Sequence, residues 1–551
     1  MDQINDKNSS FRTSAANLFK KDSKFCNCII FVLLAAMLIV GIFTVNDYGQ
    51  NWDEYEEITI YIGNLKEYSR LFHGEESEFN REFGDIDFAT DNVNIDHGGS
   101  LYYIIAPFVK LLYSNNYLAF IYIWRMATWI VFLIGVYFLY ASVKRLTSDC
   151  RYGLLGAAIL LLSPRILSNG FFNHKDIAQL TLWLVMFYLT MRWIQDGGFK
   201  WAVPLGIVAA FSINMRIMSA MMYFACGMVY IINLIIDRKN VHRTHVFQGI
   251  ASIAAFIVAM FLLTPATWDG FFSYFFYCLK NSASFPWGGN VFFMGNLYAG
   301  VDLPIYYLFV MIAITTPIIF VILYVIGNIL PLIRFARSKT KKKLNPITLL
   351  LIISTYLPIL VYIVTRPVLY NGWRHYYFLY GFIVIWAVLG VKYLFEIGKP
   401  IVRHITGGLV ALQCIVMLVV VIATHPFQYT YYNILVGTHP EQTQEMDYWG
   451  LAGKQALEEL VKQEYSTENL SIACRGYGST SIFRNNLRVL SDEYRDKLEI
   501  KSSADDADYL FVNTMYYKNK NGVGYPDLSQ YSECVVIKYF DSPITIIYKK
   551  N

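Results

Sequence analysis

Apolar runs of membrane-spanning length, cut by polar or Pro/Gly-rich breaks, set the pattern of this chain. They predict eleven helices, at about 26–45, 117–142, 153–168, 177–195, 200–214, 217–236, 247–264, 305–333, 347–365, 376–396 and 405–424. Asn214 and Arg216 are the only break between the fifth and the sixth. Beyond 424 the pattern changes. WGLAGKQALEELVKQEY reads as a helix, and LSIAC, DYLFVNT, CVVIKYF and ITIIYKK read as short strands between polar turns. The expected architecture is a polytopic α-helical membrane protein of about 11 transmembrane helices with a small C-terminal extracytoplasmic α/β domain. Its expected parts are a cytosolic tail over 1–25, a membrane domain over 26–424 with long outer loops at 46–116 and 265–304, and an outer domain over 425–551.

Composition narrows the class. Of 551 residues, 55% are hydrophobic and 16% charged, which excludes a soluble globular chain and a disordered one. The net charge of +5 gives no reason to expect nucleic acid. The polar, basic N-terminus precedes an apolar run too long for a signal peptide, so the first helix is expected to be retained. Lys and Arg recur in every second connection, most densely in RFARSKTKKK. The loop 46–116 carries 14 Asp/Glu against 4 Lys/Arg. The positive-inside rule then sets the N-terminus in the cytoplasm and 425–551 outside, in a plasma membrane. Eight cysteines are scattered; Cys474 and Cys534 share the outer domain and could pair there. No internal repeat of a transporter's two halves is visible.

Three outer segments carry candidate chemistry. NDYGQNWDEYEE holds Asp53 and Glu54 directly after the first span, with His97 later in the same loop. SPRILSNGFFNHKDIAQ holds Arg165, Asn173, Lys175 and Asp176. TRPVLYNGWRHYYFLY holds Arg366, Arg374 and His375. The topology sets all three on one face of the membrane. A carboxylate there can take a proton from an acceptor hydroxyl, and arginines can neutralise a phosphate leaving group. Each also has a plainer reading. The acidic pair could be solvated surface, Asp176 a helix N-cap, and the basic residues interfacial anchors.

These motifs, with GVDLPIYYLFVMIAITTP, HPFQYTYYN and DYWG, run in an order that resembles the polyprenyl-phosphate-dependent glycosyltransferases of the GT-C superfamily, similar to bacterial protein O-mannosyltransferases and the aminoarabinose transferase of lipid A. The resemblance covers most of the membrane part and stops near residue 450. It implies a sugar on a polyprenyl monophosphate as donor and an extracytoplasmic polysaccharide, glycolipid or protein as acceptor, with membrane lipids around both and inversion at the anomeric carbon. It implies Asp53 as base, Glu54 as its support or as a contact to the sugar, Asp176 as a second acid, and Lys175, Arg374 and His375 on the donor phosphate. Arg165, Asn173, Arg366 and His97 are the remaining candidates for substrate contact. A monophosphate donor does not require a metal, although Asp53, Asp176 and His97 could hold a divalent ion. The stretch His97-Gly98-Gly99 departs from the proline-rich segment of relatives. A flippase for a lipid-linked sugar and a membrane scaffold are the alternatives; the first would want charges near mid-helix and broken, pseudo-symmetric helices.

Overall fold

The structure is a computed structural model that describes residues 2–84, 98–283, 285, 287–337, 345–464, 469–516 and 526–551. Eight helices among these residues are long and apolar enough to cross a membrane, or nine if one bent pair counts as a single span. The eight coincide with the predicted runs at 26–45, 117–142, 177–195, 217–236, 247–264, 347–365, 376–396 and 405–424. This is a multi-pass helical membrane protein with a C-terminal sheet domain.

Of the other three runs, two differ from expectation, each at a proline, and the third is a helix as predicted. The run 153–168 is two helices, Cys150–Leu161 and Pro164–Phe172, that meet at 72°. Ser163 between them is extended, because a residue before proline is pushed out of the helical region. The run 305–333 breaks in the same way at Thr316-Pro317, into Tyr307–Thr315 and Ile318–Arg337. Carbonyls freed at that break need partners inside a membrane. Asn433 Nδ2 donates to the oxygens of Ala313 and Thr316, each at 2.7 Å. The third, Phe199–Met215, is 17 residues long and ends at Arg216.

His174–Asp196 and Phe378–Phe395 form the centre of the bundle, with 83% and 78% of their apolar windows buried. The outer helices turn large apolar side chains outward, such as Phe31, Ile253, Leu412 and Val419. In hydrocarbon that surface carries no penalty, so the packing signal is close approach instead. Gly390 faces Gly327 across two helices, and a Cβ at Gly327 would overlap the Trp386 carbonyl.

A hairpin, β1 Asn290–Phe293 and β2 Asn296–Ala299, lies in the loop 265–304. The C-terminal domain has five strands: β3 Leu470–Arg475, β4 Leu498–Ile500, β5 Tyr509–Asn513, β6 Tyr531–Tyr539 and β7 Ser542–Lys550. Their order is β4-β3-β5-β7-β6, parallel in the first three and antiparallel in the rest. Helices Gly453–Gln463 and Ser479–Arg488 pack their apolar faces on this sheet. Cys474 on β3 and Cys534 on β6 are both free, with two strands between them. Three inter-strand steps are about 14 Å, well beyond disulfide reach. Cys26 and Cys150 are instead joined, at a Cα separation of 6.0 Å.

The C-terminal domain grips the segment that precedes Asp53. Asn486 Oδ1 accepts from the Gln50 amide at 3.0 Å, and its Nδ2 donates to the Gly450 carbonyl at 2.8 Å. Asn485 Nδ2 reaches the Asn51 carbonyl at 3.1 Å. Gly478 has φ +71°, and the Trp52 indole occupies the space its Cβ would need.

Candidate active site

The first turn of Glu54–His73 starts at a bound asparagine. Asn51 Oδ1 accepts from the amides of Asp53 and Glu54, both at 2.9 Å, and its Nδ2 donates to the Phe172 carbonyl at 3.1 Å. This is side-chain capping of orphan N–H groups, and it aims Asp53 into a cavity of about 250 Å³. Asp53, Glu56, Glu57, Lys175, Arg216, Arg374 and His375 line the cavity, beside apolar walls that include Ile60, Met218, Phe285 and Leu369.

Arg374 organises the floor. Its Nη1 donates to Asp53 Oδ2 at 2.7 Å and lies 3.7 Å from Asp176 Oδ2. Its guanidinium rests 4.8 Å from the ring centres of both Tyr370 and Trp449, a cation–π seat for a charge deprived of water. The Asp53 side chain is 37% exposed, whereas that of Asp176 is fully buried. Asp53 Oδ1 has no partner among the described residues. Asp176 accepts from Arg216 on Oδ1 and from Asn173 Nδ2 on Oδ2 at 2.9 Å. Asn173, not Asp176, caps the His174–Asp196 helix by accepting from the Asp176 amide at 3.1 Å. Lys175 Nζ meets Glu57 Oε1 at 3.0 Å, and His174 Nε2 lies 3.5 Å from Glu57 Oε2. Burial, followed by the charges of Arg374, Arg216 and Lys175, holds the His375 imidazole well below its ordinary range. It therefore lines the cavity as a neutral ring.

The structure brings together Asp53, Lys175, Arg374 and His375 at the cavity, with Asn173 and Asp176 directly behind them. It separates three other candidates. Glu54 is fully buried in a two-bond pair with Arg125, at 2.8 and 2.6 Å, and turns away from the cavity. Arg125 also ties the Tyr48 and Gly49 carbonyls at 2.8 and 2.7 Å, so Glu54 holds the loop rather than a substrate. Arg165 is buried elsewhere, over Tyr432 and bonded to the Tyr431 carbonyl at 3.0 Å. Arg366 sits on a different hollow, with Asp302. His97 lies outside the described residues.

Arg216, Glu57 and Trp449 join the site without having been singled out. The sequence signal for Arg216 was present: a lone cation between two apolar runs is costly unless it has a partner. Of the three residues suggested for a divalent ion, His97 lies outside the described residues and the two carboxylates, Asp53 and Asp176, are paired with arginines. No cluster of three metal-ligating side chains exists among the described residues.

With this geometry in view, the chain can be set beside known proteins. Residues 96–264 match the family described as dolichyl-phosphate-mannose-protein mannosyltransferase. That segment, less than a third of the chain, contains Arg165, Asn173, Lys175, Asp176 and Arg216. Among solved structures, the chain is similar to ArnT from Cupriavidus metallidurans bound to undecaprenyl phosphate, at 11% identity and a TM-score of 0.45, over 94% of this chain and 97% of that one. The apo form of the same protein has the same identity and coverage and a TM-score of 0.44. No curated protein matches.

Proposed function

We propose that this protein is an inverting glycosyltransferase that moves a sugar from a polyprenyl-phosphate donor to an extracytoplasmic acceptor. One observation carries the reading. A partly exposed carboxylate, Asp53, faces a cavity whose three cations, Lys175, Arg216 and Arg374, stand on separate elements. Asp53 takes the proton from the acceptor hydroxyl through its free Oδ1 as the hydroxyl oxygen attacks the anomeric carbon. The bond from that carbon to the phosphate oxygen breaks on the opposite side. Lys175 and Arg216 meet the charge that develops on the phosphate. Their own partners, Glu57 and Asp176, keep them in place before substrate arrives. Asp176 is thus a positioning residue, not the second acid of the reaction. The apolar wall from Ile60 to Leu369 suits the first prenyl units.

The flippase alternative shares the two broken helices, but it would want charges near mid-helix, whereas Asp53, Asp176, Arg216 and Arg374 lie at the ends of their elements. The test supplies the purified full chain with candidate polyprenyl-phosphate sugars and acceptors and follows products by mass spectrometry. Asp53→Asn should reduce transfer by about 10²-fold or more with donor affinity retained. Transfer at the normal rate in that variant would remove Asp53 from the role of base.

A further inference from the structure

A second polar cavity, of about 620 Å³, lies at the other end of the bundle. Its level follows from one helix. Arg125 is bound to Glu54 next to the candidate active site, and Lys144 lies 19 residues further along Tyr117–Thr147. At about 1.5 Å per residue the two are about 28 Å apart, close to the thickness of a hydrocarbon core. The cavity therefore opens at the opposite membrane surface.

Lys144, Arg145, Arg151 and Arg192 line it, from three helices. Among the described residues, two carboxylates accompany these four cations. Asp149 pairs with Arg151 at 2.7 Å, and Asp196 is shared by Arg145 at 2.7 Å and Arg192 at 2.5 Å. Lys144 has no carboxylate among the described residues. Its Nζ donates to Asn27 Oδ1 at 2.9 Å and lies 5.6 Å from the Tyr140 ring centre. The site thus keeps an excess of positive charge directed into a hollow large enough for a headgroup. One edge of the hollow is continuous with apolar surface. Tyr137 lines the cavity and stacks at 5.8 Å on Phe31, which with Val32 is exposed along the first helix.

We propose that this cavity seats an anionic glycerophospholipid of the leaflet opposite the sugar-transfer site. The phosphodiester sits on Lys144 Nζ and Arg145, and the acyl chains follow Phe31 and Val32. Basic pockets between spans are the usual seat of such lipids. The ligand is lipid rather than a free anion, because the hollow runs out onto surface that faces hydrocarbon.

Native mass spectrometry of the full chain in detergent, titrated with phosphatidylglycerol against phosphatidylcholine, tests this. The wild type should prefer phosphatidylglycerol. Lys144→Gln should lower that preference about fivefold, the loss expected for one surface-level cation. Ser148→Asp supplies a second variant. Ser148 lines the cavity with φ +57°, a conformation that Asp tolerates, and the added carboxylate should weaken binding similarly. Lys200→Gln, a cation outside this cavity, should leave the preference intact. An undiminished preference in both cavity variants would overturn the site. Glycerol 1-phosphate competing as well as the lipid would overturn the lipid assignment.

Discussion

Asp53 and Glu54 are neighbours in the chain and part company in space, because successive side chains in a helix diverge by about 100°. One enters the cavity; the other is sealed against Arg125. Their substitution should therefore have opposite signatures. Glu54→Gln leaves a buried guanidinium without its carboxylate, a defect that typically costs about 3–5 kcal/mol. Thermal unfolding should show a large loss, whereas Asp53→Asn should unfold near the wild-type temperature and lose turnover. The same reasoning applies to Arg216. Arg216→Ala removes a cation aimed at the donor and also frees Asp176. It should weaken donor binding, read as a rise in donor KM larger than the fall in kcat.

At the level of elements, the site depends on chain breaks. The 72° corner between Cys150–Leu161 and Pro164–Phe172 brings Asn173 to the start of the next helix, where it caps and then holds Asp176. Ser-Pro in SPRILSNGFFNHKDIAQ was visible as a motif, but a continuous span was the expectation, since apolar length outweighs one proline in a pattern reading. The loop 49–52 is held from outside the membrane by Asn486. Asn486→Ala removes bonds to the Gln50 amide and the Gly450 carbonyl without touching the cavity. It should lower kcat more than it alters donor KM, since the start of the Glu54–His73 helix loses its register. An unchanged kcat in a folded variant would argue against this grip on the Asp53 loop.

For the whole molecule, the seam between bundle and C-terminal domain contains two buried acids. Burial raises Asp447 from 3.8 to about 7, against bonds from Tyr429, Thr545 and the Leu451 amide. It raises Glu445 from 4.5 to about 8, against the Phe292 amide. Both are protonated in the fold at pH values where the unfolded chain has ionised them. The folded state then binds more protons, so stability is greatest in mild acid and falls as pH rises through about 7 to 8. Melting temperatures measured from about pH 5 to 9 should decline. The decline should flatten in the Asp447→Asn, Glu445→Gln double variant.

Much of this arrangement was legible in one dimension. Eight spans, the sheet strands of the C-terminal domain and the clustering of Asp53, Lys175, Asp176 and Arg374 follow from apolar length, alternation and loop order, which are local or nearly local. Their physical basis is short in range: a helix must exceed the hydrocarbon thickness, and a strand must present alternate faces. Partner choice is different. Whether Glu54 meets a substrate or Arg125, whether Arg165 and Arg366 reach the cavity, and whether Asn486 grips Gln50 depend on contacts between residues 71 to 436 positions apart. The tertiary structure alone decided these, because the pairing of a buried charge is settled by which helices adjoin it, and the helix that bears the charge does not encode its neighbours.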